Sequence, residues 1–385
     1  MKIMISVGEA SGDMHSANVL RKLRTLTTQP IEAYGMGGKR LAACGMELTV
    51  DNTEHSVMGL IEVLHKYPTL RGHLNLLRQA LSQNRPDILM LVDYPHFNMK
   101  LATTAKALDI PVLYYITPKV WASRAGRLTE LKKTIDHAAV ILPFEADLFE
   151  KHKIPATYVG NPLLDNTALV AAGNRHKPQN DTTRIALLPG SRKSEVSYLL
   201  PVMLGAAKKI KMKYPEAEFV LPVAETIDPN LITVINAATD IDIELISSTD
   251  YDKLAQCDIA LAASGTATLE LAIMGIPMVV GYKMNPLSYV VVKRWLTIEN
   301  ISLVNIVADK KVVPELLQDE ATAENFFTEA DALLSDKEAY LQQKAHLTSV
   351  YNQLGTGGAA TRLCKIITEL VVKSKSKSVK NVVHS

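Results

Sequence analysis

The same pattern occurs twice in the chain: a short apolar run that breaks into glycine and serine just before a helical pattern. The first run covers residues 3–7 and leads into GEASGD, and the second covers residues 185–188 and leads into PGSR. Each run has the length of a buried strand that ends in a strand-to-helix turn. This is the layout of a doubly wound α/β domain, which binds ligands at the carboxyl ends of its strands. We therefore predict two Rossmann-like domains that face each other across a cleft.

Apolar runs and helical patterns continue to alternate in both halves, which favours parallel sheets with right-handed crossovers. The predicted strands cover residues 3–7, 88–92, 112–116, 139–142, 158–160, 185–188, 218–222, 243–246, 259–262 and 278–281. The predicted helices cover residues 17–26, 74–82, 99–108, 127–135, 199–213, 230–237, 250–255 and 266–274, and three more helical patterns follow Pro314.

A polar segment at residues 171–184 (AAGNRHKPQNDTTR) reads as a linker. It separates an N-terminal domain, residues 1–170, from a C-terminal domain, residues 185–338. We expect the helices of residues 339–370 to cross back onto the first domain. The lysine-rich tail, residues 371–385, is expected to be disordered.

Composition narrows the class of protein. A chain of 385 residues is longer than a single core usually supports, which agrees with two domains. Its net charge of +2 gives no support for nucleic-acid binding. The three cysteines, Cys44, Cys257 and Cys364, are too scattered for a disulfide framework or a zinc site, so we expect reduced, cytosolic thiols and no metal. The longest apolar region, residues 254–282, is interrupted by charges and glycines, so no transmembrane span is predicted.

Two strand-to-helix junctions in the second half have the chemistry of an anion site. Gly190, Ser191 and Arg192 follow the strand at 185–188: the glycine allows close backbone approach, the serine can cap the helix, and the arginine offers a two-pronged contact to phosphate. A tight turn with a surface arginine is the alternative.

The second junction has the sequence ASGTATLE. Its small residues expose backbone N–H groups at a helix N-terminus, which suits a diphosphate. Glu270, one turn into that helix, can accept hydrogen bonds from ribose hydroxyls, or it can be an ordinary helix glutamate. The residues that we assign to nucleotide binding here are Ser264, Gly265, Thr266, Thr268 and Glu270. GMGGKR at residues 35–40 lacks both the dinucleotide and the triphosphate fingerprints and reads as a glycine turn.

Two carboxylates are predicted at the carboxyl edge of the first sheet. Asp93 ends the strand at 88–92, where it can act as a general base or merely stabilise the turn. Glu9 follows the first strand, and Ser11 beside it is a substrate contact or a helix cap. Lys119 and Arg124 follow another strand and can receive a phosphate, although a solvated basic face is equally compatible.

Residues 56–81 combine apolar and basic side chains. This pattern fits shallow insertion beside anionic lipid headgroups, and a core-facing helix explains much of it as well. The candidate membrane residues are Val57, Met58, Leu60, Ile61, Val63 and Leu64.

Taken together, the motifs GEASGD, SVMGLIEVL, LVDYPHFN, TPKVWA, LPFE, LLPGSRKSEV, LAASGTATLELA, MVVGYKMNP, SLVNIV and PELLQ closely resemble those of the lipid-A-disaccharide synthase family. The resemblance runs from about residue 3 to residue 353. It implies an inverting glycosyltransferase of the GT-B type, in which residues 1–170 serve acceptor and membrane and residues 185–338 bind the UDP-sugar. By the same resemblance, Glu9, Asn305 and Gln318 are expected in the active site.

The implied reaction moves the sugar of UDP-2,3-diacylglucosamine to the 6-hydroxyl of 2,3-diacylglucosamine 1-phosphate. No metal or other cofactor is expected, because helix ends and Arg192 would neutralise UDP. The resemblance also implies peripheral association with the cytoplasmic face of the inner membrane and a homodimer that exchanges C-terminal segments.

Two other functions remain open on the residues alone. A nucleotide-sugar 2-epimerase would use a similar twin fold but needs no lipid-docking segment. A non-catalytic, membrane-bound nucleotide-sugar sensor would keep the phosphate loops without requiring Asp93.

Overall fold

The computed structural model describes residues 1–52, 60–121, 126–175, 182–239, 241–285, 289 and 299–383. The chain forms two compact units. Unit 1 comprises Met1–Asp165 together with Thr356–Ser385, and unit 2 comprises Asn166–Gly355.

Unit 1 contains a parallel sheet in the order β3-β2-β1-β4-β5-β6-β7. Its strands are β1 (Lys2–Val7), β2 (Glu32–Gly37), β3 (Glu47–Asp51), β4 (Ile88–Val92), β5 (Val112–Tyr115), β6 (His137–Val140) and β7 (Ala156–Tyr158). Its helices are α1 (Ala10–Leu26), α2 (Lys39–Ala43), α3 (Leu60–Asn84), α4 (Pro95–Ala107), α5 (Gly126–Thr134) and α6 (Glu145–Lys151), followed by a short 3-10 helix at Pro162–Asp165.

Helices cover both faces of this sheet, which explains why its central strand β4 is apolar throughout. All five residues of β4 are fully buried. Leu89 and Leu91 pack in one core cluster, whereas Ile88, Met90 and Val92 pack in another, as alternation along a strand requires.

Unit 2 repeats the same strand order with six strands, β10-β9-β8-β11-β12-β13. Its strands are β8 (Arg184–Leu188), β9 (Glu218–Val223), β10 (Glu244–Ser247), β11 (Ile259–Ala263), β12 (Met278–Tyr282) and β13 (Glu315–Leu317). Its helices are α7 (Thr167–Gly173), α8 (Lys193–Lys213), α9 (Pro229–Asn236), α10 (Tyr251–Leu254), α11 (Thr266–Met274), α12 (Leu303–Ala308), α13 (Ala323–Ser335) and α14 (Lys337–Gln353).

The last helix, α15 (Ala359–Val383), returns to unit 1. The Asp165 carboxylate accepts hydrogen bonds from the N–H groups of Gly358, Ala359 and Ala360, and it therefore caps this helix. Buried side chains of α15 join the core cluster that contains α1. The predicted return of the C-terminal segment is thus confirmed.

The unit boundaries differ from those that the sequence predicts. The first unit ends at Asp165, not at residue 170, because α7 packs on α11 of unit 2. The return begins at Thr356, not at residue 339, because α14 stays with unit 2, where Gln343 accepts a hydrogen bond from the N–H of Met278 over 2.6 Å. Helix α15 continues to Val383, through most of the tail expected to be disordered, since its first turns are anchored in the core.

Three strands, β2, β3 and β13, were not predicted. The prediction of a glycine turn at residues 35–40 was wrong for its first half, because residues 35–37 lie in β2. That strand has few side chains with strand propensity, and its pairing with β3 shifts register between Gly35 and Met36. No helix within the described ranges is both long and apolar enough to cross a membrane.

Candidate functional site

Both sheets have a topological switch point, where the strand order reverses and ligands bind in open α/β sheets. In unit 1 this point lies between β1 and β4, and in unit 2 it lies between β8 and β11. The predicted carboxylates follow β1 and β4, whereas the predicted phosphate loops follow β8 and β11. The sequence therefore assigned its principal candidates to the expected edge of each sheet.

In unit 1 the turns after β1 and β4 are in contact. A β-carbon at Gly8 would lie 2.3 Å from Cγ of Tyr94, so only glycine allows the first turn to approach this ring. Burial, and secondarily the negative charge of Glu9, raise the pKa of Tyr94. The structure thus brings Glu9 close to the turn that carries Asp93.

Asp93 and Tyr94 both adopt the left-handed region, with φ angles of 47° and 50°. This conformation is costly for residues other than glycine and must be held by its surroundings. The side-chain amide of Asn98 and the hydroxyl of Tyr114 each donate to the carbonyl oxygen of Asp93 over 2.7 Å. Burial, with the Asp93 charge as the next cause, raises the pKa of Tyr114. The half-buried Asp93 carboxylate is therefore presented from a fixed turn.

The GEASGD motif forms the start of α1 and also contacts α2. Glu9 is the N-cap residue of α1, and Ser11 lies exposed in its first turn. Asp13 is buried, and its carboxylate accepts hydrogen bonds from the N–H groups of Gly38 (2.7 Å) and Arg40 (2.9 Å), so it caps α2. Glu9, which we predict as catalytic, and Ser11, which we predict as a substrate contact, stay predictions.

The TPKVW segment after β5 is fixed by a glutamate that the sequence analysis did not single out. Trp121 donates its indole N–H to Glu145 over 2.9 Å. Glu145 is 3% exposed and also accepts from the N–H groups of Ile141 (3.2 Å) and Leu142 (3.0 Å). Burial raises the pKa of Glu145, whereas these hydrogen bonds lower it. Lys119, on the same segment, is exposed.

Several predicted residues cannot be placed. Arg124, Val57 and Met58 lie outside the described residues. Leu60, Ile61, Val63 and Leu64 lie in the first turns of α3, where the backbone alone is described.

In unit 2 the first phosphate loop is built around a carboxylate. Gly190 has a φ angle of 118°, and a β-carbon there would lie 2.5 Å from Oε2 of Glu195. That oxygen accepts hydrogen bonds from the N–H groups of Ser191 (3.1 Å) and Arg192 (3.3 Å). The other oxygen pairs with the Arg192 guanidinium at 2.8 Å. Arg192, rather than Ser191, is the N-cap residue of α8, and Glu195 completes a capping box.

These contacts show that the loop can hold negative charge. The two amides and the guanidinium are the groups that we predicted would bind a diphosphate, and in this structure they surround a carboxylate instead. The sequence does contain the spacing of a capping box, because Glu195 stands three residues after the N-cap residue.

The second phosphate loop links β11 to α11. The hydroxyl of Ser264 donates to the carbonyl oxygen of Ile301 over 2.8 Å, and that of Thr268 donates to Gly265 over 2.8 Å. These two side chains therefore shape the loop through the backbone. Thr266 is exposed at the start of the helix, and the space beside Gly265 is open. Helix α11 presents its N-terminus here, with the positive end of its dipole.

Glu270 lies one turn further along α11 and is partly exposed. Its pKa is raised to about 7, because burial raises it by more than the Tyr251 hydroxyl lowers it. A carboxyl with a perturbed pKa near the start of a helix that follows a sheet strand is a candidate for a functional site.

Asn305 is engaged within the protein, where the resemblance led us to expect a substrate contact. It is fully buried; its amide donates to Val313 (2.9 Å) and Glu315 (2.8 Å), and its oxygen accepts from Val312 (2.7 Å) and Val313 (2.9 Å). In this structure Asn305 supports the backbone next to the second loop, because Glu315 also accepts from the N–H of Ile301 over 2.9 Å.

Gln318 likewise bonds to backbone. Its side-chain oxygen accepts from the N–H of Met284 over 2.7 Å, and its nitrogen donates to the carbonyl of Met284 over 2.9 Å. Over the ranges that the structure covers, no group of three or more His, Cys, Asp or Glu side chains could hold a metal ion.

The chain is similar in sequence to proteins of one family. A family model described as Lipid-A-disaccharide synthetase matches residues 3–365. The lipid-A-disaccharide synthase of Geobacter sulfurreducens is 39% identical over 382 residues, which cover 97% of this chain and 98% of that protein.

Among solved structures, UDP-GlcNAc 2-epimerase from Neisseria meningitidis bound to UDP-GlcNAc has a TM-score of 0.66 at 16% identity, covering 97% of this chain and all of that chain. The glycotransferase of kitacinnamycin has a TM-score of 0.64 at 18% identity, covering 96% of this chain and 98% of that chain. At such identities these likenesses show the fold alone, which is GT-B. The family model and the full-length relative show more: the chain belongs to the lipid-A-disaccharide synthase family.

Proposed function

We propose that this chain transfers 2,3-diacylglucosamine from UDP-2,3-diacylglucosamine to the 6-hydroxyl of 2,3-diacylglucosamine 1-phosphate, with inversion. Its class, a glycosyltransferase of lipid A biosynthesis, follows from family membership. The observation that supports the proposal is a position in the fold: Glu9 and Asp93 follow the switch-point strands of unit 1, and two loops with the composition of an anion site follow those of unit 2.

In the proposed reaction Asp93 acts as the general base. Its carboxylate takes the proton from the 6-hydroxyl of the acceptor while the oxygen attacks the anomeric carbon of the donor. The bond from that carbon to the diphosphate oxygen breaks, and UDP departs with the electron pair. A single displacement inverts the anomeric carbon and gives a β-1′,6 linkage. Glu9 and Ser11, on the adjoining turn, would orient the acceptor.

The groups of unit 2 would stabilise the departing UDP. The guanidinium of Arg192 and the N–H groups of Gly190, Ser191 and residues 265–267 would bind the diphosphate, where negative charge develops as the bond breaks. Glu195 must then leave the loop that it occupies in this structure. Glu270 would accept hydrogen bonds from the ribose.

The acyl chains of both substrates place them in a bilayer, so we further propose peripheral docking on the cytoplasmic face of the inner membrane. Residues 57–64 would insert their apolar side chains, and the lysines of the tail would add attraction to anionic lipid of about 1 kcal/mol each. Lys119 and Arg124 would receive the acceptor phosphate. Helix α15 is the element that an exchanged homodimer would swap, because its contacts with unit 1 could form in either chain.

Release of UDP tests this function. Purified protein is mixed with UDP-2,3-diacylglucosamine in detergent micelles, with and without the acylated sugar 1-phosphate. We expect UDP only when the acceptor is present, together with one disaccharide per UDP. Conversion of the donor into an epimer without net UDP release would instead indicate an epimerase, and a donor left unchanged under both conditions would indicate a binding protein.

A further inference from the structure

The carboxylate of Glu270 is held by a relay of side chains that begins outside the phosphate loops. Asn166 donates its side-chain amide to the hydroxyl of Tyr251 over 3.2 Å, and this hydroxyl lies near enough to Glu270 to favour its ionised form. Asn166 is also the N-cap residue of α7, and its side-chain oxygen accepts from the N–H of Leu169 over 3.2 Å. Since this cap uses the oxygen, the nitrogen is directed to Tyr251.

The relay lies between closely packed elements of unit 2. Helix α7 contacts both α10, which carries Tyr251, and α11, which carries Glu270. Gly173 approaches α11 so closely that a β-carbon there would lie 2.4 Å from the carbonyl oxygen of Ile273. Tyr251 is 7% exposed, whereas Glu270 is partly exposed, so a ligand can reach the carboxylate that the buried tyrosine holds.

We propose that Tyr251, supported by Asn166, is the positioning residue that orients the Glu270 carboxylate to accept hydrogen bonds from the ribose hydroxyls of a nucleoside diphosphate. This inference rests on the proposed function, which places UDP at this loop. An acceptor already oriented before binding loses less side-chain freedom when the ligand arrives. A hydroxyl donor also favours the ionised form of a carboxyl, and ionisation is what makes it an acceptor alone.

Charged side chains on the neighbouring helices pair elsewhere or lie at the other end of α11, so we assign the positioning of Glu270 to Tyr251. On α10, Asp252 pairs with Arg175 at 2.8 Å, and Lys253 pairs with Glu244 at 2.6 Å. Lys344 of α14 lies beside Gly275, beyond the other end of α11, and α12 contains no charged residue. Burial raises the pKa of Glu270, and within the part of the chain that the structure describes the hydrogen bond from Tyr251 opposes this effect.

Calorimetric titration with UDP, repeated from about pH 6 to about pH 8.5, tests the inference on the full-length protein. Affinity for UDP should rise with pH as Glu270 ionises. Tyr251→Phe should weaken binding about fivefold at neutral pH, since one hydrogen bond to the carboxylate is lost. It should also move the midpoint of the pH dependence to higher pH, because the bond that lowers the pKa of Glu270 is gone. In turnover assays the loss should appear in KM for the donor and not in kcat.

Two further variants sharpen the test. Asn166→Ser keeps an N-cap oxygen for α7 but removes the amide donor to Tyr251. It should therefore shift the affinity for UDP and the midpoint of the pH dependence in the same direction as Tyr251→Phe, by a smaller amount. This variant provides the test if Tyr251→Phe fails to fold. Tyr214→Phe is the matched control, since it removes a hydroxyl that donates to Asp331 over 2.8 Å elsewhere in unit 2. It should change neither quantity.

Adding Tyr251→Phe to a Glu270→Gln chain should cost little further affinity, because the carboxylate that it positions is absent. The positioning role is overturned if the wild-type chain binds UDP and Tyr251→Phe binds it with the same affinity and the same midpoint. It is equally overturned if the loss is as large in the Glu270→Gln chain as in the wild type. A wild-type chain that binds no UDP at any pH contradicts the proposed function itself.

Discussion

The side-chain amide of Asn98 donates to the carbonyl oxygen of Asp93 over 2.7 Å, and it makes two further bonds to the carbonyls of Ser6 and Val92. In return, the hydroxyl of Ser6 donates to the side-chain oxygen of Asn98 over 2.7 Å. One buried amide thus joins the end of β1 to the end of β4, at the switch point of the first sheet. The left-handed turn that presents Asp93 depends on this connection.

Asn98→Ala should therefore cost about 2 kcal/mol of unfolding free energy, because it leaves the Ser6 hydroxyl without its acceptor and removes one donor from three carbonyls. Turnover should fall as well, since the Asp93 turn loses its support. Urea unfolding measures the first effect. Thr103→Ala on the same helix removes a hydroxyl that bonds to Met99 over 3.1 Å and should cost much less. Equal stability of Asn98→Ala and the wild type would show that the network is dispensable.

Arg192→Ala should weaken UDP binding about tenfold or more, because a charge-assisted contact to the diphosphate is lost. The change should appear in a direct titration with UDP. An unchanged affinity would remove Arg192 from the diphosphate site. Lys209→Ala serves as the comparison. Lys209 lies on α8, which Arg192 caps, and it pairs at the surface with Glu324 of α13, so its loss should leave UDP affinity as it is.

Glu195→Gln should move UDP affinity in the opposite direction. The glutamine keeps an oxygen that can accept from the loop amides, but it removes the negative charge that pairs with Arg192 and competes with the diphosphate. We expect tighter binding, by about threefold if the relief is near 0.7 kcal/mol, as for an exposed ion pair. Weaker binding would mean that Glu195 serves the loop only as a helix cap.

His15 should make the fold less stable in acid. Burial lowers its pKa from 6.5 to about 4, and the nearby Asp165 charge opposes this only in part. Because the folded-state pKa lies below that of the unfolded chain, the unfolded state binds the proton first as the pH falls. The free energy of unfolding that the neutral His15 contributes above pH 6.5 is therefore lost progressively between pH 6.5 and about pH 4. At pH 5 this loss should be about 2 kcal/mol.

Urea unfolding at about pH 7.5 and about pH 5 checks this sign. The difference between the two values should shrink in His15→Gln and persist in His152→Gln, which alters an exposed histidine. The assignment fails if His15→Gln keeps the full pH dependence of the wild type.

Asp165→Ala should loosen helix α15. The variant removes the acceptor for three amide groups at the start of this helix, which should cost about 1–2 kcal/mol. Hydrogen exchange of the first turn of α15 should accelerate. Asp165→Asn keeps one oxygen acceptor and should lose less. Exchange as slow as in the wild type would show that side-chain packing, and not the cap, anchors the returning segment.

The sequence predicted the sheets well where strands are buried on both faces. Strand β4 and helix α11 were predicted at or within one residue of their observed bounds, because continuous apolar runs and a clear glycine boundary mark them. Strand β2 was missed because its EAYGMG sequence reads as a turn, and its strand form depends on neighbours on either side. Unit boundaries were also displaced, since only tertiary packing assigns α7 and α14 to unit 2.

At the candidate site the sequence indicated which loops contain the candidate functional residues, but not which side chains fix the conformation of those loops. Asp93, Arg192 and Glu270 were predicted from their positions after strands. Their partners Asn98, Glu195 and Tyr251 carry no comparable signal, apart from the capping spacing of Glu195. The last of these lies 19 positions before Glu270 in the chain and reaches it only in the folded unit.

Disaccharide formation by Asp93→Asn, measured beside its affinity for UDP, tests the central claim most directly. A general base contributes about 10² to 10⁴ to the rate, so we predict that kcat falls by at least about a hundredfold. The affinity for UDP should stay within about twofold of the wild type, because the proposed diphosphate groups are intact. Turnover at the wild-type rate would contradict the account, since another group would then have to take the acceptor proton.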